Sequence, residues 1–233
     1  MKPGDPAAVE QLFDAVAPRY DRLNDVLSLG LHRHWKRHLI RSLRPVAGET
    51  WIDLCCGTGD LALELARRVR PQGRVIGLDS AVEPLALARQ RQQKQSWLPL
   101  QFERGDAQRT GLPTAAADGV VMAYGLRNLA NPAAGLKELR RLLKPGGRAG
   151  VLDFNRLPDG GVASAFQRFY LRRLVVPTAT LVGLQEQYSY LETSLNKFAN
   201  GPEQIAMARA AGFTKALHQP IAAGQMGFLI LKA

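Results

Sequence analysis

The chain has 233 residues, 46% of them hydrophobic, and a formal net charge of +11. This length suits one α/β domain, which we place over residues 1–233, and the apolar content excludes wholesale disorder. We expect neither a membrane span, which needs roughly 20 apolar residues, nor a signal peptide, because the first residues lack an apolar segment. The positive charge leaves a nucleic acid and an anionic lipid surface both open as partners.

The N-terminal part predicts a helical extension over residues 1–47. Apolar residues recur there at helical spacing in three stretches. In the third stretch one face is apolar and consists of Leu31, Trp35, Leu39 and Leu43. The other face is basic and consists of Arg33, Lys36, Arg37, Arg41 and Arg44. This part of the chain is therefore expected to form amphipathic helices ahead of the first strand.

A strand, a glycine turn and a helix follow the extension. Trp51 to Leu54 is a short apolar run around Asp53, as expected of a buried strand. Gly57 and Gly59 then allow a sharp turn and a close approach of a ligand to the backbone. Apolar residues at helical spacing come next. This combination is typical of a nucleotide-cofactor site.

Strands and helices alternate in the middle of the chain. Strands are predicted at residues 74–78, 99–103, 119–123 and 148–154. Helices are predicted at residues 82–95 and 133–143, the second ended by Lys-Pro-Gly-Gly. The alternation predicts a doubly wound, mostly parallel sheet of the Rossmann-like α/β class.

The pattern changes after residue 154. Residues 155–200 predict a helical insert, and a further helix runs from Gly201 to Ala211. Two apolar runs, at residues 215–217 and 228–231, predict an antiparallel hairpin that completes the sheet. The two cysteines, Cys55 and Cys56, are adjacent, which makes a poor structural disulfide and too few ligands for a structural zinc ion. We therefore expect a cytoplasmic protein without a bound metal.

The cofactor follows from acids at successive strand ends. The turn fits the dinucleotide pattern G-x-G-x-x-G/A, and Asp79 ends the second strand twenty residues after Gly59, where it could accept bonds from ribose hydroxyls. These features alone fit both NAD and S-adenosylmethionine. Asp53 in the first strand, Asp106 after the third, and the absence of a Tyr-x-x-x-Lys pair favour S-adenosylmethionine. The candidate cofactor-binding residues lie at these strand ends: Asp53, Gly57, Thr58, Gly59, Asp79, Ser80, Asp106, Ala107 and Ala123.

Several blocks carry a family resemblance. They are residues 9–36, Tyr124-Gly125-Leu126-Arg127-Asn128, the Leu-Lys-Pro-Gly-Gly turn, Leu152-Asp153-Phe154, Tyr190-Leu191 with Ser194 and Phe198, and Ala211-Gly212-Phe213. Together they resemble the UbiE/MenG quinone-biosynthesis C-methyltransferases over nearly the whole chain. The resemblance implies a class I methyltransferase fold that transfers a methyl group from S-adenosylmethionine to a ring carbon of a prenylated quinol.

The adjacent cysteines, Cys55 and Cys56, narrow the resemblance to one group within the family. They depart from the small residues expected before the glycine turn, and with the basic, arginine-rich composition they look most like the cyanobacterial members, which act on 2-phytyl-1,4-naphthoquinone. The product would be phylloquinol, at the last step of phylloquinone or menaquinone biosynthesis. Demethylmenaquinol and a ubiquinone-pathway benzoquinol stay open as acceptors.

The chemistry of such an acceptor can be argued independently. An oxidised quinone ring is electrophilic, whereas a quinol that loses a hydroxyl proton, with a pKa near that of tyrosine at about 10, can attack a methyl group through its ring carbon. The family blocks supply the catalytic candidates. Arg127 would stabilise the phenolate, Asn128 or Arg127 would hold a water that acts as base, and Tyr20 with Asp21 would orient or deprotonate the hydroxyl. His32, His34 and His38 could also act as bases, but we expect them to be solvated or lipid-facing.

The apolar tail of the acceptor accounts for the extra segments. Residues 9–44 and 163–198 would form a lid with an apolar channel, and the basic helix face would rest on an anionic membrane surface. Candidate channel residues are aromatic: Trp35, Phe166, Phe169, Tyr170, Tyr188 and Tyr190. We expect a protein peripheral to the membrane that collects its quinol there and binds no nucleic acid. Its oligomeric state, a homodimer included, stays open.

Three other functions compete with this interpretation. An RNA methyltransferase is suggested by the net charge, but no Asn/Asp-Pro-Pro-Tyr/Phe site follows the fourth strand and no cysteine lies outside the turn. An NAD-dependent quinone reductase would lack its Tyr/Lys pair. A non-catalytic lipid-binding protein would leave three strand-end acids without a role.

Overall fold

The computed structural model describes residues 5, 9–11, 14, 25, 28, 30–157, 161 and 193–233. The strands are β1 (Thr50–Leu54), β2 (Arg74–Asp79), β3 (Leu100–Arg104), β4 (Ala117–Ala123), β5 (Leu143–Phe154), β6 (Lys215–Ile221) and β7 (Met226–Lys232). They form one sheet in the order β3-β2-β1-β4-β5-β7-β6. The first five are parallel, and β7 is antiparallel to both β5 and β6. The predicted sheet class and the closing hairpin are confirmed.

Helices cover both faces of this sheet. Those described are α1 (Leu31–Leu43), α2 (Asp60–Val69), α3 (Val82–Gln93), a 3-10 turn (Leu126–Asn128), α4 (Pro132–Leu142) and α5 (Gly201–Ala210). One core joins α1, α2 and α3 to the face that carries Trp51, and a second core joins α4 and α5 to the face that carries Ile52. Successive strand residues point to opposite faces, so burial on both sides explains why the strands are continuous apolar runs.

Two strands differ most from their predicted bounds. β5 begins at Leu143 because Leu143 already pairs with Ala117, and the register then shifts before Arg148 pairs with Gly119. The Lys-Pro-Gly-Gly sequence therefore lies inside the strand as an irregularity rather than before it. β6 extends to Ile221 through polar residues, because an edge strand with one neighbour buries little of its surface, and its Leu217 is exposed.

The predicted extension is described mainly through α1. Leu39 and Leu43 are buried against the sheet, as their spacing predicts. Arg148 of β5 holds the end of the helix: its guanidinium donates to the carbonyls of Leu43 and Arg44 and lies 5.1 Å from the centre of the Trp51 ring. Among residues 155–200, the structure describes a helical stretch only at 193–197, so the extent of the predicted insert is not tested.

The expectation for His32 is wrong. Its side chain is buried, and its Nε2 atom lies 2.8 Å from a carboxylate oxygen of Asp25. The reason is helical geometry, since His32 lies three residues before Trp35 and seven before Leu39 and so shares their face. Burial lowers the pKa of His32, with the Asp25 carboxylate acting in the opposite direction.

Gly119 and Trp51 provide a test of the packing between β1 and β4. The two residues are paired in the sheet, and a Cβ atom on Gly119 would lie 2.4 Å from atoms of the Trp51 indole. We expect Gly119→Ala to lower the free energy of unfolding by about 1–3 kcal/mol through overpacking. Urea denaturation followed by circular dichroism measures this change.

A double-mutant cycle provides the control. Trp51→Phe removes part of the ring that the new methyl group meets, so the two substitutions should cost less together than the sum of their separate costs. Additive costs would show that the ring does not restrict residue 119.

Candidate active site

The candidate site lies at the carboxyl ends of β1, β2 and β4. The strand order reverses at β1, which has β2 on one side and β4 on the other, and ligands of open α/β sheets bind at such a switch point. A cavity of about 300 Å³ opens there. Seven of the predicted site residues line it: Gly57, Thr58, Asp79, Ser80, Asp106, Ala123 and Asn128.

The glycine turn has the backbone conformation that its sequence predicts. Gly57 and Gly59 both have positive φ angles, 52° and 86°. A Cβ atom on Gly59 would lie 2.7 Å from the Phe102 ring, whereas one on Gly57 would meet no atom within 4 Å. Gly59 is therefore restricted by conformation and packing together, and Gly57 by conformation alone, with open space beside it.

Two residues other than glycine also have positive φ angles at the cavity. Cys55 follows β1 with a φ of 54°, and Tyr124 follows β4 with a φ of 62°. Both line the cavity. Such conformations cost free energy and concentrate at functional sites. Cys55 and Cys56 are free thiols, and burial followed by the charge of nearby carboxylates such as Asp79 raises their pKa values.

Asp79 joins the glycine turn to the end of β2. Its Oδ2 atom accepts a 2.7 Å hydrogen bond from the Gly57 amide, and its Oδ1 atom accepts one of 3.0 Å from the Ala81 amide. Burial raises the pKa of Asp79. Since each carboxylate oxygen has two acceptor positions, Asp79 can hold the turn and still accept bonds from a ligand's hydroxyl groups.

Asp53 lies behind the turn rather than in the cavity lining. It is 1% exposed, and its Oδ2 atom accepts a 3.0 Å bond from the Ala62 amide in the first turn of α2. Its Oδ1 atom has no hydrogen-bond partner among the described residues. Burial raises its pKa to about 8. Asp53 therefore anchors the start of α2, which directly follows the glycine turn, and its role toward the methionine ammonium stays a prediction.

Asp106 and Ala107 follow β3. Asp106 lines the cavity, and its Oδ1 atom accepts a 2.8 Å bond from the Gln108 amide, which leaves its other oxygen available to a ligand. Ala107 is buried in the core beneath the cavity. Neither Ala107 nor Gly59 is part of the cavity lining. The acids of three neighbouring strands thus meet at one edge of the sheet.

The catalytic candidates occupy different environments. Asn128 lines the cavity, its amide donates a 2.9 Å bond to the Tyr124 carbonyl, and its Oδ1 atom has no partner within the described part of the chain. The Arg127 side chain is 9% exposed and lies outside the lining. Its Nη1 atom donates to Asp153 Oδ1 at 2.6 Å, and its guanidinium lies 5.1 Å from the centre of the Phe154 ring.

Tyr20 and Asp21 lie outside the described residues, as do the channel candidates Phe166, Phe169, Tyr170, Tyr188 and Tyr190. The roles of Tyr20 and Asp21 therefore stay predictions, and so does a direct role for Arg127.

The N-terminal extension contributes residues that the sequence patterns missed. Val9 and Glu10 line the cavity. A Glu10 carboxylate oxygen lies 2.5 Å from Arg104 Nη2 at the end of β3, and Asp14 accepts a 2.9 Å bond from the Glu83 amide in the first turn of α3. Glu10 and Asp14 are four residues apart, which is about one helical turn. This spacing could have indicated that both acids lie on one face of a helix.

Lys36 also has a position that the sequence did not predict. Its side chain is only 15% exposed, and its ammonium lies 2.9 Å from Asp60 Oδ2 and 5.9 Å from the centre of the Tyr124 ring. Arg91 Nη1 contacts the other Asp60 oxygen at 3.0 Å and the Thr58 carbonyl at 3.1 Å. Burial acts to raise the pKa of Asp60, but these two cations hold it below its usual value. Lys36 thus lies beside the glycine turn, outside the cavity lining, and not on the solvated basic face.

The described residues show neither a metal cluster nor a membrane span. They contain no group of three or more His, Cys, Asp and Glu side chains arranged to hold a metal ion. Within the same ranges, no helix is long and apolar enough to cross a membrane.

Comparison with known proteins agrees with this site. Residues 1–229 match the model of the ubiE/COQ5 methyltransferase family. A 2-phytyl-1,4-naphtoquinone methyltransferase of Nostoc punctiforme is 45% identical over 224 residues, which cover 96% of this chain and 97% of the relative. The chloroplastic 2-phytyl-1,4-beta-naphthoquinone methyltransferase of Arabidopsis thaliana is 40% identical over 94% of this chain and 85% of its own.

A solved structure supports the fold. A SAM-dependent methyltransferase from Aquifex aeolicus has a TM-score of 0.61 and 17% identity, and the match covers 84% of this chain and 88% of that one. The family match extends over almost the whole sequence, and the matched region carries the glycine turn and the strand-end acids that line the cavity. The chain therefore belongs to the ubiE/COQ5 methyltransferase family and is an S-adenosylmethionine-dependent methyltransferase.

Proposed function

We propose that the chain methylates a ring carbon of 2-phytyl-1,4-naphthoquinol and so forms phylloquinol. The observation that carries this proposal is the 44–45% identity, across at least 95% of the chain, to cyanobacterial enzymes named for 2-phytyl-1,4-naphtoquinone. Demethylmenaquinol and the benzoquinol of the ubiquinone pathway are the competing acceptors. An RNA acceptor is disfavoured, because the described residues around the cavity are predominantly acidic and apolar.

The strand order supports one orientation of the bound methyl donor along the edge of the sheet. Asp106 follows β3, Asp79 ends β2, and the glycine turn follows β1, so these groups succeed one another along one edge of the sheet. Neighbouring strands lie about 4.8 Å apart, so this edge suits an elongated ligand. We place adenine at Asp106, ribose at Asp79 and the methionyl part at the glycine turn. S-adenosylmethionine supplies there an electrophilic methyl group on a positively charged sulfur.

This direction places the acceptor ring at the end of β4. Asn128 lines the cavity there, and its buried Oδ1 atom, which has no partner among the described residues, is an acceptor suited to the hydroxyl of a quinol or to a water that takes its proton. Arg127 holds Asp153 and the Tyr124 carbonyl, and so fixes the turn that carries Asn128. We propose that its fixed positive charge also favours the phenolate, with Tyr20 and Asp21 orienting the ring hydroxyl.

The exposed face of α1 supports a membrane-bound acceptor. Arg33, Arg37, Arg41 and Arg44 are exposed, and Leu31 at the start of the helix is 47% exposed. Each basic residue near an anionic lipid surface contributes about 1 kcal/mol of binding. We propose that this face rests on the membrane from which the prenylated quinol is taken.

The acceptor assignment predicts a specific pattern of transfer. Purified protein with labelled S-adenosylmethionine should methylate 2-phytyl-1,4-naphthoquinol with a kcat/KM at least about tenfold above that for a benzoquinol of equal tail length, because the pocket then fits two fused rings. The oxidised quinone should accept no label. Equal or faster methylation of the benzoquinol, or labelling of RNA alone, would contradict the assignment.

Asp79 provides a test of the donor direction. Asp79→Asn removes a charged acceptor from the ribose hydroxyls, so we expect the affinity for S-adenosylhomocysteine to fall roughly 10- to 100-fold. Isothermal titration calorimetry measures it, and Glu83→Gln is the control because that exposed side chain lies outside the cavity lining. An unchanged affinity in Asp79→Asn would mean that the ribose binds elsewhere.

Charge neutralisation tests the membrane face. The double variant Arg37→Gln/Arg41→Gln should bind vesicles containing anionic lipid about thirtyfold more weakly than the wild type, and added salt should weaken the wild type similarly. Co-sedimentation measures binding. Arg67→Gln/Arg70→Gln, on exposed positions of another helix end, is the matched control. The membrane proposal would be wrong if both double variants weakened binding equally.

A further inference from the structure

Lys36 lies beside the glycine turn, and the proposed reaction gives its ammonium group no role. It belongs to α1, but its ammonium reaches Asp60, the first residue of α2, directly after the glycine turn. Its contact with the Tyr124 ring places it between the ends of β1 and β4. We propose that the Lys36 ammonium binds the α-carboxylate of the methyl donor, and this inference rests on the donor direction given above.

The direction of the donor brings its amino-acid end to this place. With adenine at β3 and ribose at β2, the methionyl part continues along the sheet edge to β1 and β4. Lys36 lies at that boundary, on the side of the glycine turn, because Asp60 holds it there. The end of the donor that carries the carboxylate therefore arrives where Lys36 is fixed.

The charges around the turn require a cation for that carboxylate. Asp53, Asp60 and Asp79 surround the turn, and Asp106 and Glu10 line the cavity beside it. Asp79 and Asp106, which form no ion pair with a described residue, favour the sulfonium and ammonium groups of the donor, but they repel its carboxylate. An unpaired carboxylate in such an environment would weaken binding, so a nearby positive charge is needed.

The neighbouring arginines are engaged elsewhere. Arg127 is bound to Asp153, Arg91 to Asp60 and Thr58, and Arg104 to Glu10. The Lys36 ammonium has three donor hydrogens, and among the described residues it makes one hydrogen bond, to Asp60. Its low exposure makes a further charge-assisted bond stronger than it would be in water.

Asp60 prepares Lys36 for this role. It binds Lys36 through Oδ2 and Arg91 through Oδ1, and both contacts are shorter than about 3 Å. A long lysine side chain otherwise loses conformational freedom when it binds a ligand, and the tether removes much of that cost before the donor arrives. Lys36 is thus a pre-organised binding residue for the donor.

The test compares two ligands that differ in the carboxylate alone. S-adenosylhomocysteine carries it, and S-adenosyl-3-thiopropylamine lacks it. By isothermal titration calorimetry, we expect Lys36→Met to weaken S-adenosylhomocysteine roughly 10- to 100-fold and the decarboxylated ligand less than about twofold. Lys36→Arg should restore most of the affinity, and Arg37→Met, which removes an exposed charge one residue along α1, should change neither ligand.

Three outcomes would overturn the proposal. Equal weakening of both ligands in Lys36→Met would mean that Lys36 only shapes the turn. Unchanged binding of both ligands in Lys36→Met would mean that the ammonium does not contact the donor's carboxylate. Wild-type protein that binds both ligands equally well would mean that no cation holds the carboxylate, and this measurement needs no variant. No quinol is present, so an error in the acceptor assignment leaves the result interpretable.

Discussion

The hydrogen bond from the Gly57 amide to the Asp79 carboxylate is the contact on which the geometry of the cavity depends. It ties the turn after β1 to the end of β2, beside the backbone hydrogen bond of 3.0 Å from the Cys56 amide to the Leu78 carbonyl. The turn needs this support because Cys55, Gly57 and Gly59 all have positive φ angles, and Cys55 pays a conformational cost that glycine avoids. A buried carboxylate can hold the turn and receive a ligand at once, which explains why an acid ends this strand.

The N-terminal extension completes the cavity through charged contacts. Glu10 reaches the end of β3, Asp14 reaches the first turn of α3, and Lys36 reaches the first turn of α2. All three contacts lie at the edge of the sheet where the donor is placed. An extension that was expected to serve the acceptor's tail therefore also contacts the strand and helix ends around the cavity.

Strands, turns and strand-end residues could be predicted, because they depend on residues close together in the sequence. Side-chain contacts between distant parts of the chain could not. Asp79 follows from a strand that ends twenty residues after a glycine turn, and the apolar runs predicted six of the seven strands to within about two residues at their C-terminal ends. The pairing of Arg127 with Asp153 joins residues 26 apart and has no local pattern. Lys36 and Arg33 look alike in sequence and lie three residues apart on neighbouring positions of α1, but Lys36 reaches Asp60 whereas the exposed Arg33 pairs with Asp25.

The distribution of charge reconciles a chain of net charge +11 with an acidic cavity. The exposed arginines of α1 lie on the outer surface, whereas Asp79, Asp106 and the buried Asp53 lie at or beneath the cavity. A sulfonium donor is positively charged, so acids at the cavity favour it. Among the exposed arginines Arg33 pairs with Asp25, and we propose that Arg37 and Arg41 attract an anionic lipid surface. One fold thereby keeps the attraction for the membrane apart from the attraction for the donor.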